Sequence, residues 1–155
     1  MSDLRELYQQ TILDHQRKPR NFRQMADATG HLEGFNPLCG DRLTLFLKVE
    51  GDLVTDVSFQ GEGCAISKAS ASMMTESIKG KKLEEVRALF GQFHELITGQ
   101  VHPAEQSDGP RPSLGKLAVF SGVREFPMRV KCATLAWHTL MALVKGQQDQ
   151  PVSTE

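Results

Sequence analysis

Residues 41–59, DRLTLFLKVEGDLVTDVSF, constrain the fold more than any other stretch of the chain. Leu43, Leu45, Leu47 and Val49 alternate with Arg42, Thr44, Phe46 and Lys48, the period of two that gives a strand one strongly apolar face. Glu50-Gly51-Asp52 supplies a turn signal, and residues 53–59 follow as a second strand, so the pair reads as a hairpin. Residues 31–38 can add a third antiparallel strand. The other patterns are helical. Leu4, Leu7, Tyr8, Ile12 and His15 recur at helical spacing from Asp3, a plausible N-cap, to about Arg17. A small-residue run from Cys64 ends at Gly80, and Leu83, Val86, Leu89, Phe90, Phe93 and Ile97 share one face of a helix over 82–98. The Gly/Pro-rich residues 99–112 read as a long mobile loop. Two more helices fit about 113–124 and Pro127–Lys145, with Pro127 at the first helical position. Strands gathered early and helices after them define an α+β chain: a three-stranded antiparallel sheet with helices packed on one face.

The 155 residues suit one domain over 1–146, with 147–155 as a disordered tail. With 39% hydrophobic and 24% charged residues, the chain can build its own core without disulfide staples. Its 18 basic residues are matched by 19 acidic ones, which leaves no basic excess for nucleic acid. No segment approaches the ~20 apolar residues needed to span a bilayer. MSDLRELYQQ has no apolar core of a secretory signal, so the expected location is the cytoplasm, with reduced thiols. Three cysteines, an odd number, cannot form a complete disulfide framework. They are inert core thiols, reactive thiols or metal ligands.

Their positions leave room for chemistry. Cys39 lies in a turn, NPLCGDRL, two residues before the carboxylate of Asp41, an unusual place for a packed core cysteine. Cys64 follows Gly61-Glu62-Gly63 and starts a helix, and Cys132 sits in the first turns of the last helix. A helix N-terminus favours thiolate, the form that binds metal and attacks sulfur. Three thiolates and one carboxylate make a set of four that suits tetrahedral zinc. Such a site keeps excess negative charge, and Arg129, three residues before Cys132 on the same helix face, is the obvious cation to soften it. Against this, the cysteines are 25 and 68 residues apart, which matches no CxxC-type zinc signature. Buried cysteine is common, aspartate after glycine is an ordinary turn residue, and Arg129 is by default a solvated helix residue. His138 is rotated about 240° from Cys132 around the helix and should not share its site. His15 reads as a satisfied, partly buried histidine, and the 67–72 serines and the Met73-Met74 pair as close helix packing. No P-loop, GxSxG or GxGxxG motif occurs.

PLCGD at 37–41, GEGCAIS at 61–67 and SGVREFPMRVKCATLAW at 121–137 resemble the U-type iron–sulfur assembly proteins, and among them the SufU branch. The opening LRELYQQTILDHQRKPRNF is similar too, so the likeness runs from about Leu4 to Lys145. The IscU branch carries a histidine directly before its last cysteine and an LPPVK segment upstream. Here Lys131 and FPMRVKC stand in those places. The resemblance implies that Cys39, Asp41, Cys64 and Cys132 bind zinc. It implies further that Cys39 takes sulfane sulfur from the persulfide of a SufS-type cysteine desulfurase, a PLP enzyme. Arg129 would steady the Cys39 thiolate, and the sulfur would pass to downstream iron–sulfur assembly proteins. The alternative the resemblance carries is a scaffold on which a transient [2Fe–2S] cluster is built, with the same four residues as ligands.

Overall fold

In the computed structural model the chain runs α1 (Ser2–Arg17), β1 (Gly30–Asn36), β2 (Asp41–Glu50), β3 (Leu53–Glu62), α2 (Ala65–Ile78), α3 (Leu83–Thr98), α4 (Pro127–Val144) and β4 (Val152–Ser153). The structure describes residues 2–37, 40–98, 117, 119–120, 123, 126–146 and 152–153. The alternating stretch is the hairpin β2–β3, and β1 pairs antiparallel on the far side of β2. The cross-strand register aligns Leu32 with Leu45 and Leu45 with Phe59, while Leu47 faces Val57. These side chains are buried and make one apolar face. The sequence therefore specifies both the strands and the face that takes the helices.

α2 covers β3, and α4 crosses β1 and β2. Gly34 makes the second contact possible. A Cβ at that position would run into Thr139 Oγ1 and meet Leu135 of α4 at 3.3 Å. Between the two helices, Trp137 Nε1 donates to Ser70 Oγ at 3.2 Å, and the Ser70 hydroxyl donates to the Ala133 carbonyl at 2.5 Å. Ser70 is fully buried, so these bonds satisfy a hydroxyl that would otherwise be costly inside a core. The same Trp137 ring stacks on Phe93 of α3 with centroids 4.5 Å apart. The small residues 69–72 of α2 are buried, as close packing requires, and so are Met73 and Met74. α1 docks on α2 through His15, whose Nδ1 lies 2.7 Å from Ser72 Oγ. His15 is 2% exposed, more deeply buried than its sequence position suggested.

Two details differ from the sequence reading. α1 begins at Ser2, so Asp3 lies inside its first turn and does not cap it. Within the tail read as disordered, Val152 and Ser153 pair in parallel with Gly34 and Phe35, giving the strand order β3-β2-β1-β4. The reason is the open edge of β1, whose backbone groups accept an added strand. The expected loop over 99–112 lies outside the described residues. So does most of the expected helix over 113–124, of which Leu117, Val119, Phe120 and Val123 are described and buried in the core.

Candidate metal centre

The sheet brings the site together at one end. β1 ends at Asn36, and its cross-strand partner is Asp41, the first residue of β2. Arg42 is opposite Glu62, which places the end of β3, and with it Gly63 and Cys64, beside Asp41. Cys64 is the N-cap of α2, with extended backbone (φ −69°, ψ 166°), and its sulfur accepts the backbone N–H of Ser67 at 3.4 Å. It thus faces the N–H groups that a helix start leaves without intrahelical partners, where the positive end of the helix dipole lies. Asp41 is 1% exposed and binds the same corner. Its Oδ1 accepts the Cys64 backbone N–H at 2.8 Å, and its Oδ2 lies 3.8 Å from Cys64 Sγ. Gly63 permits this approach, because a Cβ there would sit 2.6 Å from Asp41 Oδ1.

Cys132 enters from α4. It is the sixth residue beyond the N-cap Phe126, past the free N–H groups of that helix start. The dipole argument therefore belongs to Cys64, not to Cys132. A side chain reaches the buried Cys132 sulfur: Asn36 Nδ2 donates to it at 3.7 Å. A carboxylate oxygen of Asp41 and the sulfurs of Cys64 and Cys132 all lie within 4.8 Å of one another. Among the described residues this is the one group of three or more potential ligands so gathered. Two thiols and a carboxylate fit a thiophilic dication such as zinc, and iron of a cluster as well. Neither thiol is tied up in a disulfide.

Cys39, the fourth expected ligand, lies outside the described residues. Arg129 is exposed, and its guanidinium carbon lies 4.8 Å over the ring of Phe126. His138 stands away from the group, against Phe90 and His94, as its rotation on α4 requires. The sequence reading missed Asn36 and Gly63. A signal for Asn36 was present: it continues the inward parity of Leu32 and Gly34 along β1, so a polar residue occupies a core position.

The match to known proteins follows the same residues. The description "NifU-like N terminal domain" fits residues 7–133, which include Asn36, Asp41, Cys64 and Cys132. The chain belongs to the NifU-like N-terminal domain family. Within it the chain is of the IscU/SufU type. It is 43% identical over 139 residues to the "Zinc-dependent sulfurtransferase SufU" of Bacillus subtilis, covering 90% of each chain. It is 39% identical over 145 residues to the "Iron-sulfur cluster assembly scaffold protein IscU" of Streptococcus pyogenes serotype M1, covering 94% of this chain and 87% of that one. Among solved structures, the putative iron–sulfur cluster assembly scaffold protein for the SUF system from Fervidobacterium islandicum superposes with a TM-score of 0.74 at 34% identity. That match covers 84% of this chain and 91% of the other. These NifU-like relatives share the α+β architecture seen here. No described helix is long and apolar enough to cross a membrane.

Proposed function

We propose that this NifU-like domain acts in iron–sulfur cluster assembly as a zinc-dependent sulfurtransferase, taking persulfide sulfur from a PLP-dependent cysteine desulfurase in the cytoplasm. The observation that carries the reading is the Asp41–Cys64–Cys132 group at the sheet end, with Cys39 two residues before Asp41 in the sequence. With Cys39, which the family resemblance names as a ligand, the set would have four donors. The B. subtilis relative bearing the sulfurtransferase name supports the choice of zinc. Lys131, in the place where IscU-type members carry a histidine, removes a ligand that a cluster scaffold would use.

Cys64 and Cys132 are seated in helices and serve as the fixed ligands, with Asp41 as the weaker oxygen donor. Zinc held by these residues supplies a positive charge that favours thiolate over thiol. Cys39 is the acceptor. Its thiolate attacks the outer sulfur of the desulfurase persulfide, forming a sulfur–sulfur bond at Cys39. The persulfide bond on the desulfurase breaks, and that enzyme's cysteine leaves as thiolate. Arg129, on the exposed start of α4, would steady the Cys39 thiolate during the exchange. The accepted sulfur then passes to downstream iron–sulfur assembly proteins.

The second reading, a scaffold for a transient [2Fe–2S] cluster, is supported by the S. pyogenes and F. islandicum relatives that bear the scaffold name. Metal and acid-labile sulfide analysis of anaerobically purified protein separates the two. The sulfurtransferase requires about one zinc per chain without sulfide, and the scaffold requires iron with matching sulfide. The decisive step is desulfurase turnover. Cys39→Ala must abolish sulfur acceptance, and Arg129→Ala must slow it while zinc binding persists. Unchanged desulfurase stimulation by Cys39→Ala would sink the sulfurtransferase reading.

A further inference from the structure

Asn36 is an unusual residue for its position. It is fully buried, and its inward place on β1 follows Leu32 and Gly34 in a row otherwise devoted to the core. Burying an amide costs about 1–3 kcal/mol unless its hydrogen bonds are made. Its Nδ2 points at Cys132 Sγ, 3.7 Å away on a helix 96 residues later in the chain. A neutral thiol is a weak acceptor and gives such a donor little. A thiolate is a charged acceptor, and hydrogen bonds to ionised groups are roughly twice as strong as neutral ones. The contact therefore suits the ionised sulfur that a metal ligand must be.

The wiring of the centre sharpens the point. Cys64 has a backbone donor, the Ser67 N–H of its own helix start, and Asp41 has another, the N–H of Cys64. Cys132 lies in the second turn of α4, past the orphan N–H groups of that helix start. Arg129, three residues before Cys132 on that helix, lies over Phe126. We propose that Asn36 is a positioning residue of the centre: its side-chain amide donates to the Cys132 sulfur and holds it in place as a charged ligand. A neutral amide does this without altering the charge of the site. It also ties the end of β1 to α4, so the strand that leads into Cys39 is anchored to a ligand.

This inference rests on the metal-centre reading, and its test reads metal binding, not sulfur transfer. The full-length chain carrying Asn36→Leu is compared with the parent for zinc affinity, by chelator competition, and for the thiolate-to-metal charge-transfer absorption of the cobalt(II) form. Leucine fills the space of the amide and donates nothing. Zinc affinity should fall about ten- to a hundredfold, the usual cost of losing an outer-shell partner. The charge-transfer band should weaken, and the metal-free protein should unfold at the parent's midpoint. Asn36→Ser, which restores a short donor, should recover part of both signals. A parent-like zinc affinity and cobalt spectrum in Asn36→Leu would overturn the proposal. So would a loss that Asn36→Ser fails to relieve at all, since that marks a role in shape alone. If Asn36→Leu fails to fold, Asn36→Ala is read against Asn36→Ser by the same criteria. Cys132→Ser is the control: unchanged zinc affinity there overturns the centre and the proposal together, whereas a loss there with none in Asn36→Leu overturns the proposal alone.

Discussion

Cys64 and Cys132 offer the same atom to the same site but are held by opposite means. Cys64 is kept in place by backbone. It caps α2, takes the Ser67 N–H, and gives its own N–H to Asp41. Cys132 is held differently: it is buried within α4, and its sulfur accepts from the side-chain amide of Asn36 on a distant strand. The backbone solution needs a glycine beside it, Gly63, to let Asp41 close in. The side-chain solution needs a buried polar residue at the end of β1. A thiol at a helix start comes with donors, and a thiol one turn further along must be given one.

The largest expected effect treats the two cysteines alike. Cys64→Ser and Cys132→Ser should each reduce zinc affinity by more than about a hundredfold, because each removes a thiolate from a small ligand set. Chelator competition measures this, and a large loss in one variant alone would break the symmetry assumed for the centre. The next effect separates them. Gly63→Ala places a methyl group against Asp41 and forces the Asp41–Cys64 corner apart. It should cost about tenfold in zinc affinity while leaving the Asn36–Cys132 contact intact. A cobalt(II) spectrum changed to the same extent by Gly63→Ala and Asn36→Leu would mean that the two arms are not independent.

How much of this was legible in the sequence follows from the kind of interaction that carries each part. The hairpin, the third strand and the four helices α1 to α4 were readable because period-two and helical patterns are local, and Pro127 fixes the start of α4 within one residue. Cys64 was readable as a helix start because Gly61-Glu62-Gly63 precedes it. Asp41 was readable by its nearness to Cys39 and by the family motif. The pairing of Asn36 with Cys132 was not, since it spans 96 residues and depends on α4 crossing β1 over Gly34. Arg129 was chosen by helical spacing, which gives a face but not a rotamer, and its guanidinium lies over Phe126. Two residues of the tail, Val152 and Ser153, carry too short a pattern to announce a strand.

The comparison also makes a smaller claim about the metal-free fold. Serine is a favoured N-cap, so Cys64→Ser keeps the capping bond at the start of α2 and should leave the unfolding midpoint unchanged or slightly raised. Cys132 is 3% exposed among core residues, and Cys132→Ser puts a hydroxyl there in place of a weakly polar thiol. That should cost about 1–2 kcal/mol. Urea unfolding of the two chelator-treated variants checks it. Equal destabilisation would show that α2 gains nothing from its cap.

The smallest effect lies at the other end of α2 and tests whether the centre is insulated from the rest of that helix. Asp56 of β3 accepts from Arg23 at 2.7 Å and from the Val57 N–H at 2.9 Å, and Lys79, the C-cap of α2, approaches it at 3.4 Å. Partial burial works to raise its pKa. The Arg23 hydrogen bond, the Val57 N–H and the charges of Arg23 and Lys79 together outweigh it and hold the carboxyl below the usual carboxylate range. A carboxyl whose folded pKa is depressed binds its proton more readily in the unfolded chain. Its contribution is therefore present above the unfolded value, about pH 4, and is lost as the pH falls through the lower folded value. Asp56→Asn should lower stability at neutral pH by less than about 1 kcal/mol, as a largely solvated pair does. It should also flatten the acid side of the stability curve, narrowing the gap to the parent as the pH drops below about 4. Urea unfolding of the metal-free proteins across that range reads the effect, and parallel curves for variant and parent would refute it. Zinc affinity at neutral pH should not change. A change would show that the C-terminal end of α2 moves Cys64, and the backbone-held ligand would then be less rigid than its hydrogen bonds imply.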